Sequence, residues 1–339
     1  MSGNLFEQQR ANRRRSVILV AVFILFFAWI GFGLDLILWL ETRAAPPPAY
    51  HHLVPIIGLV TSLLATGMVW FSWRRGPNQV LWATGAWELV TPDTPEQKML
   101  VNVVEEMAIA SGLPRPTIWI VPDPDPNAFA TGVDQQHAHI AVTEGLLKAL
   151  NRDELQAVIG HEMGHIKNDD VKLMTLLAAL VGILALISQG TARFLWYGGG
   201  RGRGGRSGRS KNGGGLAIVL LVVWLISVML APMVSRLLAL GVSRKREYLA
   251  DAMSAQFTRN PKALADALET IEHAEAPTKS IKSGSAHLCI ADPLGRRVTS
   301  RHGRLADMLA THPPMAVRVA RLREMAYQYE KTGTLPEIT

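Results

Sequence analysis

His161-Glu162-Met163-Gly164-His165 is the stretch on which the reading of this 339-residue chain turns. On a helix, positions i and i+4 share one face, a turn apart. His161 and His165 would therefore aim two imidazoles at one point, a spacing at which both can hold one Zn²⁺ at ~2.0–2.1 Å. Glu162, between them in sequence, is the candidate general base for a water whose pKa zinc lowers to ~7. Ligand type, spacing and base come together in five residues. Without a metal the same stretch would be a surface helix with an i,i+4 histidine pair. Gly164 speaks against that, because glycine in a helix interior costs ~1 kcal/mol and implies that something packs close. Just upstream, Asn151-Arg152-Asp153-Glu154 is a capping signal that opens the helix.

A catalytic zinc takes three protein ligands and leaves a position open for water. Glu247-Tyr248-Leu249-Ala250-Asp251, on a second helix expected over residues 235–256, supplies a third candidate. Glu247 and Asp251 share a face; Glu247 can ligate, and Asp251 can accept the outer N–H of a ligating histidine and fix its tautomer. Read alone, the stretch is an ordinary solvated face with Arg244, Lys245 and Arg246 as partners. The histidine pair elsewhere in the chain turns the reading towards a ligand.

Outward from the motif, composition points to a membrane. The chain is 48% hydrophobic and 19% charged, with a mean hydropathy of +0.16; a soluble chain carries about 25% charged residues. Four apolar runs, Ser16 to Leu40, Leu53 to Trp73, Leu173 to Ala192 and Leu216 to Val234, each approach the ~20 residues a helix needs to cross the bilayer. Asp35 interrupts the first and is expected at its far interface, because Ser16 to Leu34 already suffices to span. The sole cysteine, Cys289, cannot form an intrachain disulfide, which fits a cytosolic working side. The formal charge of +7 is concentrated in Arg10, Arg13, Arg14 and Arg15 and in the Gly/Arg-rich loop 198–215. No aromatic residues interleave these cations, so they point to anionic lipid heads and not to nucleic acid.

The remaining segments read as α+β, mainly α. Thr94-Pro95-Glu96-Gln97 is a capping box opening a helix that ends near Gly112; residues 117–121, 127–132 and 139–143 are expected strands. Asn260-Pro261 opens a helix to about His273, and Pro313-Pro314 opens the last one. The expected organisation is an N-terminal transmembrane hairpin (1–75), a first catalytic half with the motif helix (76–172), a second hydrophobic hairpin (173–240) and a second catalytic half (241–339).

Three blocks, His161 to Asn168, Ser243 to Asp251 and Thr311-His312-Pro313-Pro314, resemble the signature blocks of the HtpX family of membrane zinc proteases, related to the eukaryotic CAAX prenyl proteases. Asn127-Ala128-Phe129-Ala130-Thr131-Gly132 resembles a further block. The likeness implies a zincin-type integral-membrane metallopeptidase with four hydrophobic helices and a small β-sheet beside the active-site helix, acting on protein substrates. It implies that the strand Asn127 to Thr131 pairs with substrate backbone and that His312 stabilises the oxyanion. It makes Arg318 a supporting residue; Asn168, one turn past His165, is at most an indirect contributor.

Arg13 to Arg15, with Arg74 and Arg75, place both catalytic halves in the cytoplasm beside an inner membrane by the positive-inside rule. Because the zinc ligands flank the third and fourth runs, the basic loop 198–215 is expected on the outer side, against that same rule. The competing function is a catalytically idle membrane adaptor that keeps the metal fold. Glu162 counts against it, since such a copy could lose the base without losing zinc.

Overall fold

The computed structural model describes residues 2–43, 46, 48–49, 51–180, 244–274, 280, 288–291 and 313–335. They fall into two compact units. One gathers residues 2–16, 73–179 and the described residues from 244 onward; the other is built on 17–72.

The second unit is a hairpin of long helices. Helix α1 spans Ser2–Thr42 and α2 spans Ile56–Ala83. Over Gln9–Thr42 and Ile56–Ala83 both are long and apolar enough to cross a membrane. Large apolar side chains on them stand open, with Leu63 74% and Leu25 66% exposed, as lipid-facing surface does. Asp35, expected at the far interface of the first run, has partners in the hairpin. It is buried, and its carboxylate accepts from the backbone N–H groups of Ile57 (3.3 Å) and Gly58 (2.6 Å) while pairing with His52 Nε2 at 2.6 Å. It thus satisfies N–H groups at the start of α2 that have no partner within that helix. Residues 173–180 of the third apolar run are helical. The rest of that run, the fourth run and the loop 198–215 lie outside the described residues.

The first unit carries a four-stranded sheet of order β1-β2-β4-β3: β1 (Trp87–Glu88), β2 (Thr117–Val121), β3 (Ala128–Gly132) and β4 (Ala138–Thr143). β2 and β4 run parallel; β1 and β3 pair antiparallel at the two ends. Helix α3 (Pro95–Ser111) begins in the Thr94–Gln97 capping box and ends at Gly112, whose φ of 69° is the left-handed cap that glycine favours. The short α4 (Glu144–Ala149) follows β4 directly, with Thr143 as its N-cap. Helix α5 (Arg152–Lys167) starts at the Asn151–Glu154 capping box and carries the histidine motif.

Helices α6 (Arg244–Thr258), α7 (Pro261–Glu272) and α8 (Met315–Thr332) complete the core. On α7, Leu264, Leu268 and Ile271 repeat at helical spacing and are all fully buried. Each such side chain contributes about 1.5–3 kcal/mol of burial.

The crossing of α5 and α6 positions the site, and glycine sets its closeness. A Cβ on Gly164 would lie 3.2 Å from Ala250 Cα and 3.3 Å from Ala250 O. One turn earlier, a Cβ on Gly160 would lie 3.1 Å from Ser254 Oγ. That hydroxyl donates to Ala157 O at 2.6 Å, tying the helices together at the same level.

Candidate metal centre

Each functional side chain reaches the centre through a local feature. The capping box fixes where α5 begins, so its i,i+4 face with His161 and His165 turns towards α6. The close crossing at Gly164 brings Glu247, in the first turn of α6, opposite both rings. The two Nε2 atoms stand 3.1 Å apart. Glu247 Oε1 lies 3.6 Å from His165 Nε2, and Oε2 lies 3.8 Å from His161 Nε2. Tetrahedral ligands at ~2.0–2.1 Å from a zinc ion stand roughly 3.3–3.4 Å apart. The three side chains are thus arranged as a zinc would need them, with ligating atoms all within 4.8 Å of one another.

Glu162 faces the same cleft. It is 1% exposed, and among the described residues its carboxylate has no hydrogen bond of regular geometry, only the approach of the Ala130 backbone N–H. Burial, reinforced by Glu247 nearby, pushes its pKa up to about 7. A buried carboxylate left open in this way is costly unless a water or ligand completes it, so this observation too fits a metal and its water.

The histidines are held differently. Asp251 Oδ1 stands 2.9 Å from His161 Nδ1, and burial depresses the pKa of this imidazole. Asp251 is gripped by Arg318, which donates from Nε at 2.9 Å and Nη2 at 2.7 Å, and whose Nη1 donates to Ile290 O at 2.9 Å. Arg318 Nη1 also lies 3.6 Å from Glu247 Oε2. Burial alone would raise the Asp251 pKa, but the guanidinium holds it below its ordinary value. His165 rests on Asp170, with Nδ1 to Oδ2 at 3.1 Å. Burial opposes a charge on this ring, yet Asp170 and the negative Glu247 push its pKa up to about 9.

Asp170 was not singled out from the sequence. Its position depends on the turn that follows the motif, where Asp169 takes a φ of 57°, a left-handed conformation that Asp tolerates better than most residues. The turn returns Asp170 to the face of α5 that bears His165. Arg246, which would be a solvated partner of Glu247 if the stretch were read alone, is buried instead. It is 2% exposed, with Nη1 3.6 Å from Asp170 Oδ1 and Nη2 3.2 Å from Met174 Sδ. Asn168 caps α5 and is fully buried; its side-chain amide has no hydrogen-bond partner among the described residues. His312 lies outside the described residues.

The strand Asn127 to Thr131 borders the centre but is not a bare edge. Ile290 N–H donates to Ala128 O at 2.9 Å, and Phe129 bridges antiparallel to Cys289. The Asn127 side chain donates to Ala291 O at 3.0 Å. At the other end Gly132 N–H donates to Thr175 Oγ1 at 3.2 Å, and the Thr131 and Thr175 hydroxyls pair at 2.9 Å. Between these contacts Ala130 opens on the cleft, together with Glu162, His165, Glu247 and Leu288.

Comparison with known proteins places this geometry. The profile of peptidase family M48 matches residues 95–326, which span both helices of the centre. A protease HtpX homolog of Streptococcus gordonii is 38% identical over 321 residues, covering 95% of this chain and 100% of that protein. A second, from Caldanaerobacter subterraneus, is 36% identical over 325 residues, covering 95% and 98%. Among solved structures, S. mikatae Ste24p matches at 18% identity with a TM-score of 0.41, covering 94% of this chain and 67% of its own. With the family match spanning the helices that bring His161, His165, Glu162 and Glu247 together, this chain belongs to peptidase family M48 and is a metallopeptidase.

Proposed function

We propose that this metallopeptidase is a zinc-dependent endopeptidase of the cell inner membrane, cleaving membrane or misfolded proteins beside the cytoplasmic face in a quality-control or stress role. The observation that carries the reading is the convergence of His161, His165 and Glu247 around a point that the buried Glu162 also faces. His161, His165 and Glu247 would hold the zinc. When bound, zinc supplies Lewis acidity to a water and to the scissile carbonyl. Glu162 takes the attacking water's proton and passes it to the leaving amine. Asp251 and Asp170 fix the orientation of the two imidazoles, and Arg318 keeps Asp251 charged and in place. From the family likeness, His312 would donate to the oxyanion.

Substrate would bind as an extended strand, read by its main chain more than its side chains, which fits many unrelated protein substrates. Ala130 is the β3 position open to the cleft; Asn127, Ala128 and Phe129 hold residues 289–291, and Thr131, on the other side of Ala130, is held by Thr175.

Two membrane-competent helices and the HtpX relatives support the membrane setting. Orientation rests on charge. Arg13, Arg14 and Arg15 at the base of α1, and Arg74 and Arg75 in α2, flank the apolar hairpin, and such clusters stay on the cytoplasmic side. Residues 2–16 and 73–179 belong to the same compact unit as the metal centre, which supports the same side for the site.

The test is cleavage of an unfolded protein such as casein by detergent-purified chain, with zinc content measured alongside. About one zinc per chain, activity lost to a chelator and restored by zinc, is the expected result. Zinc with no cleavage of any protein would favour the idle adaptor.

A further inference from the structure

The first turns of α1, up to Ser16 and outside the matched family region, touch the metal centre. Residues Gln9, Asn12 and Ser16 recur at helical spacing along one face, while Arg10, Arg13, Arg14 and Arg15 are exposed. The Gln9 amide donates to Lys167 O at 2.9 Å, and the Asn12 amide donates to Asn168 O at 3.2 Å. These are carbonyls at the C-terminal end of α5, where a helix leaves acceptors unfilled. So far this is docking.

Asn12 does one thing more. It is 2% exposed, and its Nδ2 also donates to Asp170 Oδ1 at 2.6 Å. The other oxygen of that carboxylate, Oδ2, meets His165 Nδ1 at 3.1 Å. Asp170 is itself 1% exposed, so solvent cannot take over the role. Arg246, at 3.6 Å, adds charge but not a hydrogen bond. Among the described residues, Asn12 is therefore the neutral donor that sets the rotation of the carboxylate supporting His165.

We infer that Asn12 is a positioning residue of the metal centre, acting on His165 through Asp170. The inference rests on the proposed reading that His161, His165 and Glu247 hold zinc. Loss of a group that orients a ligating histidine directly costs ~10–100-fold in metal affinity. A residue one step further out should act more weakly than that range, at about three- to tenfold.

The measurement is the rate at which zinc leaves full-length, detergent-purified protein for a chelator, with Co²⁺-substituted protein read by its visible spectrum. Asn12→Leu keeps size and removes the donor; Asn12→Ala is the second variant should the first insert poorly. Gln9→Leu removes a docking bond without touching Asp170. Both Asn12 variants should release zinc about three- to tenfold faster and shift the cobalt bands, while Gln9→Leu stays within twofold with an unshifted spectrum. In an Asp170→Ala background, Asn12→Leu should add nothing further. Equal effects of the Gln9 and Asn12 variants, unchanged release in the latter, or additivity with Asp170→Ala would each overturn the inference. A wild-type protein that holds no zinc would instead overturn the zinc reading on which it stands.

Discussion

Gly164→Ala tests how closely the metal centre depends on the α5–α6 crossing. In a helix interior, alanine is favoured over glycine by ~1 kcal/mol. Here the added Cβ would lie 3.2 Å from Ala250 Cα, 3.3 Å from Ala250 O and 3.4 Å from Met253 Cβ. Carbon pairs prefer ~3.5–4.0 Å, so α6 must withdraw by a few tenths of an ångström. The opposing group is backbone, which cannot swing aside, and overpacking of this kind costs ~1–3 kcal/mol. The net destabilisation is then about 0–2 kcal/mol. The effect on metal should be larger than that range implies. Ala250 lies three residues from Glu247 on the same helix, and metal–ligand distances tolerate only about ±0.2 Å. Zinc affinity should fall about tenfold or more, the order seen when a ligand's support is lost. The assay pairs chelator competition with thermal unfolding of the metal-free protein in detergent. A Gly164→Ala protein that melts higher and keeps its zinc affinity would refute the reasoning.

Arg318→Met should destabilise the chain by about 3–5 kcal/mol, because it leaves Asp251 buried without its counter-ion; denaturant unfolding of the metal-free protein checks this. In the metal-free protein His165 titrates near 9 and Glu162 near 7. At pH 7–9 zinc must therefore displace the His165 proton, and its apparent affinity should rise about tenfold per pH unit over that window, flattening above it, as buffered titration will show. His312→Ala should lower kcat by about 10²–10³-fold with zinc content unchanged, if its side chain faces the developing oxyanion; a loss under fivefold would confine it to a role in shaping the chain.

What the sequence disclosed depended on whether the signal was local. The i,i+4 spacing of His161 and His165, the capping boxes at Thr94 and Asn151, and the left-handed Gly112 are set within a turn or two of chain, and each stands in the structure where it was expected. Gly164 announced a close neighbour but could not say which; Ala250 is 86 positions away in sequence. β1, two residues long, and α4, six residues long, are too short to show periodicity. Contacts that cross the chain were not legible. Asp170 reaches His165 only because Asp169 turns left-handed, and Asn12 reaches Asp170 across 158 positions. Arg246 has the composition of a solvated face and is buried by its neighbours. Asp35 looked like a residue at a membrane boundary, and its partnership with the start of α2 exists only once the hairpin closes.

The most direct test of the account separates base from ligand in one experiment. Glu162→Gln and Glu247→Ala are purified in parallel with wild type, and zinc content and casein cleavage are measured on the same samples. Glu162→Gln should keep about one zinc per chain and lose hydrolysis, since a neutral amide cannot take a proton from water. Glu247→Ala should lose both, since two imidazoles leave the site a ligand short. A Glu162→Gln protein that still cleaves casein, or a Glu247→Ala protein that keeps its zinc, would contradict the account.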